Sequence, residues 1–130
     1  MNTSTLTGTT TGRIVTPSAE AGGAAVVELH GDIDLEVVEL LHDCVTSALE
    51  HGSDVLVELA DVTLMDGASL SALVQADQLA DRRGCTMCLV APTAVVRRTL
   101  ACAGLGSAFV TFGDREQASR ALRYGRQAAA

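Results

Sequence analysis

Not one lysine occurs in this chain: all nine basic residues are arginines, set against sixteen acidic ones. That absence removes the phosphate-binding lysine of a P-loop, any Schiff-base lysine, and the lysine a receiver domain keeps beside its phosphorylated aspartate. Aromatic residues are only 2% of the chain and tryptophan is missing, so the core must be aliphatic; the 48% hydrophobic content supplies one. No apolar run approaches the roughly 20 residues of a membrane-spanning helix, which excludes membrane insertion. The first residues lack a basic-then-apolar leader pattern, so the expected location is the cytoplasm. A net charge of −7 argues against nucleic acid, which recruits a basic footprint.

What is present fits one domain of 130 residues. Its charge is unevenly spread. Met1 to Asp81 holds fourteen acidic residues and one Arg, whereas Arg82 onward holds eight Arg and two acidic residues. A domain with one acidic and one basic side is suited to steering a protein partner. Residues 1–12 are mostly Thr, Ser and Gly without periodicity and are expected to be a disordered tail. Residues 13–124 form the domain, and residues 125–130 a flexible C-terminal tail.

The organising stretch runs from Asp54 to Arg83. Asp54-Val-Leu-Val-Glu-Leu59 has the β-branched, apolar character of a buried strand, and Ala60 to Met65 stays apolar enough to remain buried. After the turn Asp66-Gly67-Ala68-Ser69 the period changes. Leu70, Leu73, Val74, Ala76 and Ala80 recur at threes and fours, which predicts an amphipathic helix ending at Gly84. A hairpin at Asp-Gly is excluded because no strand follows. A nucleophile elbow is excluded because Gly67-Ala-Ser69-Leu-Ser71 lacks the second glycine. What remains is a helix N-terminus with free N–H groups, able to receive an anion or a partner's acceptors.

The flanking segments repeat the alternation. Arg13 to Thr16 is expected as an edge strand stopped by Pro17, followed by a polar turn from Ser18 to Gly23. Ala24 to His30 is a strand ending in Gly31-Asp-Ile-Asp34. Asp34 N-caps a helix that turns Val38, Leu41, Val45, Ala48 and Leu49 to one face. Cys85 to Val90 is a further strand, and Thr93 starts a helix carrying Val95, Val96, Thr99, Leu100 and Ala103. Of the two arginines in that helix, one of Arg97 and Arg98 is expected to face solvent or an acidic partner and the other to pair within the domain. Phe109 to Phe112 is the last strand, and Asp114 with Gln117 opens a helix through about Tyr124. Such alternation predicts an α/β fold, with a small mixed, mostly parallel sheet backed by helices.

Little of the remaining chemistry converges. Cys85 and Cys88 sit at an offset that sends their side chains to opposite faces of a strand. Cys44 and Cys102 lie among apolar neighbours, so all four cysteines are expected as buried free thiols. No zinc set, cofactor fingerprint or catalytic group is assembled, and Glu28 and Glu58 have no evident catalytic partner. The chain is expected not to be an enzyme.

Three stretches, in order, resemble one family. Gly31-Asp-Ile-Asp34, Glu58-Leu-Ala-Asp-Val-Thr-Leu-Met-Asp-Gly-Ala-Ser-Leu70, and Ala91-Pro-Thr-Ala-Val-Val-Arg-Arg-Thr-Leu100 with Gly104-Leu105 are similar to the motifs of STAS domains. That family comprises sulfate-transporter cytoplasmic domains and bacterial anti-sigma factor antagonists. The resemblance implies a partner: an anti-sigma factor that is also a serine kinase, with a histidine-kinase-like ATPase fold. It also implies the contacts, which are Asp32, Asp66, Gly67, Ala68, Ser69, Ser71 and Arg97. In the family, phosphorylation of the first serine of D-S-S-G releases the complex. Here that position is Gly67, the next is Ala68, and the family's glycine is Ser69, so the switch is expected to be broken and the protein to stay binding-competent; were a serine to substitute, it would be Ser69, with Ser71 a turn deeper in the packing. The expected function is a partner-switching module without that phosphoserine. The alternative is a ligand-binding or scaffold STAS domain in a lipid-transport or signalling assembly. No cofactor or metal is implied, and a homodimer stays open.

Overall fold

The strands of this protein carry apolar side chains on both faces, and the two sets feed different cores. The computed structural model describes residues 5–7, 13–20 and 24–129, with side chains over 24–123. Six strands, β1 (Thr5–Thr7), β2 (Arg13–Glu20), β3 (Ala24–Ile33), β4 (Val55–Met65), β5 (Met87–Val90) and β6 (Val110–Phe112), pair in chain order within one sheet. β1 to β3 are antiparallel neighbours, and β3 to β6 are parallel. Parallel neighbours need crossovers, here α1 (Leu35–Glu50), α2 (Gly67–Arg82) and α3 (Ala94–Cys102), while α4 (Arg115–Ala129) follows the last strand. The predicted α/β alternation is the observed one.

Period-2 alternation divides the core. Val27 and Leu29 of β3, Val57 and Leu59 of β4, and Leu89 of β5 meet Leu41 and Val45 of α1, Leu73 and Ala76 of α2, and Val96 and Leu100 of α3. The intervening residues Ala24, Val26, Leu56, Cys88 and Val90 pack with Ala118 of α4, bordered by Phe112 and Leu122. Apart from Phe109 and the sulfur side chains of Cys44, Met65 and Met87, the main core is aliphatic, as the composition demands.

Several expected boundaries move. β2 continues past Pro17 to Glu20, because a register shift between Val15 and Ser18 accommodates a residue without an N–H. The segment expected as a disordered tail contains β1, and its other residues lie outside the described ones, as do residues 21–23 of the expected Ser18–Gly23 turn. α4 runs on to Ala129 rather than ending at Tyr124, carried by Arg, Gln and Ala, which favour helix despite Gly125. The stretch Ala60 to Met65 prolongs β4 but is not uniformly buried. Only Val62 and Met65 are; this half of the strand has lost its neighbour β5, whose pairing with β4 ends at Glu58.

Candidate functional site

The carboxyl ends of β3 and β4 carry the residues that the sequence singled out, and helix capping fixes their arrangement. Asp66 follows β4 in extended backbone and N-caps α2, its Oδ1 accepting from the Ser69 amide at 2.9 Å. That hydrogen bond from the Ser69 backbone, joined by one from its side chain, holds the Asp66 carboxyl below the usual carboxylate range. Asp34 does the same for α1, accepting from Val37 N at 3.1 Å. Asp32, half-buried on β3, accepts a hydrogen bond from the Thr63 hydroxyl of β4 at 2.7 Å. The two loops therefore stand side by side at one sheet edge, the position where open α/β sheets receive ligands.

Within the first turn of α2 the side chains divide sharply. Gly67 and Ala68 are exposed, and a Cβ on Gly67 would meet no atom within 4 Å. Ser69 is 1% exposed. Its Oγ lies 2.9 Å from the Ile33 carbonyl and 2.8 Å from Asp66 Oδ1, and its single hydrogen is donated to one of them at a time. Ser71, expected deeper in the packing, is exposed instead. The inversion has a simple cause. Ser69 occupies the third helical position, where its hydroxyl folds back to the cap carboxylate and inward to β3, and that leaves the next turn's serine on the outer face. Ser71 helps line a groove of about 480 Å³ with Gly67, Leu70, Val74, Gln75 and Leu105.

The structure brings Asp32, Asp66, Gly67, Ala68 and Ser71 to this edge, with Ser69 behind them. Arg97 belongs to α3, whose start is pinned to β4 by Thr93 donating its hydroxyl to the Val62 carbonyl at 2.9 Å. Both Arg97 and Arg98 are exposed, and Arg97 Nε donates to the Pro92 carbonyl at 3.2 Å.

Sequence reasoning missed a charged cluster on the α4 side of the sheet. Glu28 and Glu58 are register partners on β3 and β4, and the Arg115 guanidinium at the start of α4 bonds both carboxylates. His30 extends the chain, with Nε2 3.1 Å from Glu28 Oε1 and Nδ1 3.0 Å from Asp61 Oδ2. Burial opposes the Arg115 charge, but the hydrogen bonds from Arg115 to Glu58 and Glu28 outweigh it and raise its pKa. The readable signal was two glutamates in otherwise apolar strands. Their partner, fifty-seven residues beyond Glu58, carried no signal of its own.

Two of the four cysteines are buried as expected and two are not. Cys88 is buried and its thiol is pushed up to about 11 by desolvation, helped by Asp54 and Asp77. Cys44 is buried and its thiol raised, by desolvation and then Asp43. Cys85 is half-buried, but Cys102, expected in the interior, is exposed on the outer side of α3's last turn. Among the described residues no cluster of three or more His, Cys, Asp or Glu is arranged to hold a metal, and no helix is long and apolar enough to cross a membrane.

Residues 18–111 match the family model described as "Mlab, STAS domain". No curated protein matches the chain. Among solved structures, an anti-sigma factor antagonist from Mycobacterium paratuberculosis is 18% identical with a TM-score of 0.68, over 94% of this chain and 93% of that one. An anti-sigma-factor antagonist (STAS) domain protein from Planctomyces limnophilus is 14% identical with a TM-score of 0.68, over 82% and 96%. The anti-sigma factor antagonist SpoIIAA of Bacillus, in its unphosphorylated form, is 19% identical with a TM-score of 0.65, over 75% and 87%. At these identities the structures speak for the fold, and the family match spans most of the chain; the protein belongs to the STAS domain family.

Proposed function

We propose that this protein is an anti-sigma factor antagonist-like binding module whose partner is a kinase-like anti-sigma factor. The observation that carries the reading is the exposed Asp66-Gly67-Ala68 turn, standing beside Asp32 at the carboxyl edge of the sheet. It presents backbone and small side chains, so a partner can approach closely, and its carboxylate is already engaged in holding the helix. Asp32, Asp66, Gly67, Ala68, Ser71 and Arg97 make the contact, while Ser69 supports the turn from inside. The solved neighbours described as anti-sigma factor antagonists support the same reading by fold.

Gly67 takes the position of the phosphoserine in this reading and offers no oxygen to modify. Ser69 is a poor substitute, since its hydroxyl is buried and bonded. Exposed Ser71 stands four residues beyond the Gly67 position, one turn along the helix, and on this reading the module stays competent to bind when kinase and ATP are present. Titration calorimetry against the kinase-like anti-sigma factor is expected to give a stoichiometric complex. Ala68→Arg abolishes it by bulk and by misplaced positive charge at a helix N-terminus. Intact mass after incubation with ATP is expected to be unchanged. Failure to bind, binding that survives Ala68→Arg, or a stoichiometric phosphate overturns the proposal. The second reading is a ligand-binding or scaffold STAS domain in a lipid-transport or signalling assembly, which membership of the STAS family equally allows. Co-purification with a transport ATPase in place of a kinase-like protein would select it.

A further inference from the structure

The second face of the sheet has a light cover. Ala24, Val26, Leu56, Cys88 and Val90 form that face, opposite the one packed by α1, α2 and α3. Of the described apolar side chains of α4, Ala118 alone is buried and Leu122 is half-buried, with small Ser119 beside them. By contrast α1 buries Val37, Val38, Leu41, Val45 and Leu49. An element with few buried apolar contacts opens at less than the cost of global unfolding.

A polar tie compensates at one end. The Arg115 guanidinium, in the first turn of α4, bonds Glu28 of β3 and Glu58 of β4, register partners whose like charges would otherwise repel. Glu28 is linked further, through His30, to Asp61, and the register partner of His30 on β2 is Arg13. Two other polar contacts of α4 lie within the helix and its cap. Arg120 pairs with Glu116 at 3.3 Å, and the Gln117 amide donates to Asp114 at 2.8 Å, so both survive if the helix leaves the sheet. Gly113, between β6 and α4, has no Cβ and turns freely.

We propose that α4 is a hinged lid, fastened to Glu28 and Glu58 by Arg115, that opens as a unit about Gly113 while the rest of the domain stays folded. Opening bares the apolar face formed by Ala24, Val26, Leu56, Cys88 and Val90 and leaves α1 to α3, with the turn after Asp66, in place. The device is independent of the binding role proposed above.

Cys88 is a built-in reporter. It is fully buried under the lid, and desolvation, helped by Asp54 and Asp77, pushes its thiol up to about 11, so an alkylating reagent reaches it only on opening. The full-length protein is treated with iodoacetamide over a range of low urea concentrations, and alkylation of Cys88 is followed by fragment mass. Its rate is expected to be nearly flat in urea, whereas global unfolding, measured by circular dichroism, rises steeply. Arg115→Gln should speed Cys88 alkylation about tenfold, and Arg115→Lys, which keeps the charge but loses the fork, by an intermediate factor. Val96→Ala, which removes a buried contact of the main core and none of α4, should lower global stability and leave the Cys88 rate unchanged. Amides 118–122 should exchange through the same opening as Cys88. Cys88 alkylation that follows global unfolding in urea, a Val96→Ala rate raised as much as that of Arg115→Gln, indifference to Arg115→Gln, or α4 amides better protected than Cys88 each overturns the proposal.

Discussion

The hydroxyl of Ser69 lies 2.9 Å from the carbonyl of Ile33, so the first turn of α2 is fastened to the end of β3 from inside the protein. This contact, bridging thirty-six residues of sequence, keeps the Asp32 loop and the Asp66 turn in one register. A buried donor that also reaches the cap carboxylate cannot be removed without leaving an acceptor unmatched.

Ser69→Ala is therefore expected to cost about 1–3 kcal/mol, the range for orphaning a buried hydrogen-bonding group. Ser71→Ala, two residues on but exposed, should stay within about 0.5 kcal/mol. Urea denaturation of both variants measures the difference. Equal effects would show that the inward hydroxyl contributes nothing.

The cap itself makes stability depend on pH. Hydrogen bonds from Ser69 hold the Asp66 pKa below its ordinary value, so the native state binds this proton less readily than the unfolded chain. Its contribution is fully present above the unfolded pKa of about 3.9 and is lost as pH falls through the native value. Asp66→Ala is expected to cost about 1 kcal/mol at pH 7, with the gap to the parent closing below about pH 4. Asp66→Asn, which keeps an acceptor but not the charge, should recover part of the loss at pH 7 and remove the pH dependence. A gap that is constant from pH 7 to 3 would refute the cap's role.

Much of this molecule could be read from the chain because its signals are local. The change from period two to period 3.6 after Met65, and the cap at Asp34, depend on neighbours within four residues, and both appear as read. Pairings between distant segments left no such trace. Nothing near Ser69 in sequence announces Ile33, so its hydroxyl read as available when it is buried. Pro17 read as a strand stop because the register shift that accommodates it belongs to its pairing with β3. That Asp32 and Asp66 stand at strand ends was legible, whereas the direction of the serines after Asp66 depended on tertiary contacts.

Arg115 offers a further test of such a distant contact. Glu28 and Glu58 face one another across β3 and β4, and like charges so paired repel unless a cation lies between them. Arg115→Gln should cost about 1–3 kcal/mol at neutral pH, less than a fully buried pair because the guanidinium retains 32% exposure. Adding Glu58→Gln to that variant should restore part of the loss. A double-mutant cycle with strictly additive changes would mean the two groups do not interact.

Ala91 is the one described non-glycine residue with positive φ, at 53°. It joins β5 to α3, and the conformation is held from both sides. Its N–H donates to the Phe112 carbonyl at 2.8 Å, and buried Pro92 follows. For an L-residue the left-handed region costs about 1–2 kcal/mol, because Cβ crowds the carbonyl that follows. Glycine avoids that clash at an entropic cost of roughly 0.5–1 kcal/mol, and asparagine tolerates the region through local hydrogen bonding. Ala91→Gly is thus expected to stabilise the protein by about 0.5 kcal/mol, Ala91→Asn by a similar or smaller amount, and Ala91→Val to destabilise it by more than about 1 kcal/mol. This order, glycine above alanine above valine, is the reverse of the one that strand propensity would give at the end of β5. Denaturant midpoints for the three variants decide between them: if valine proves the most stable, the backbone here is ordinary strand and the strain is absent.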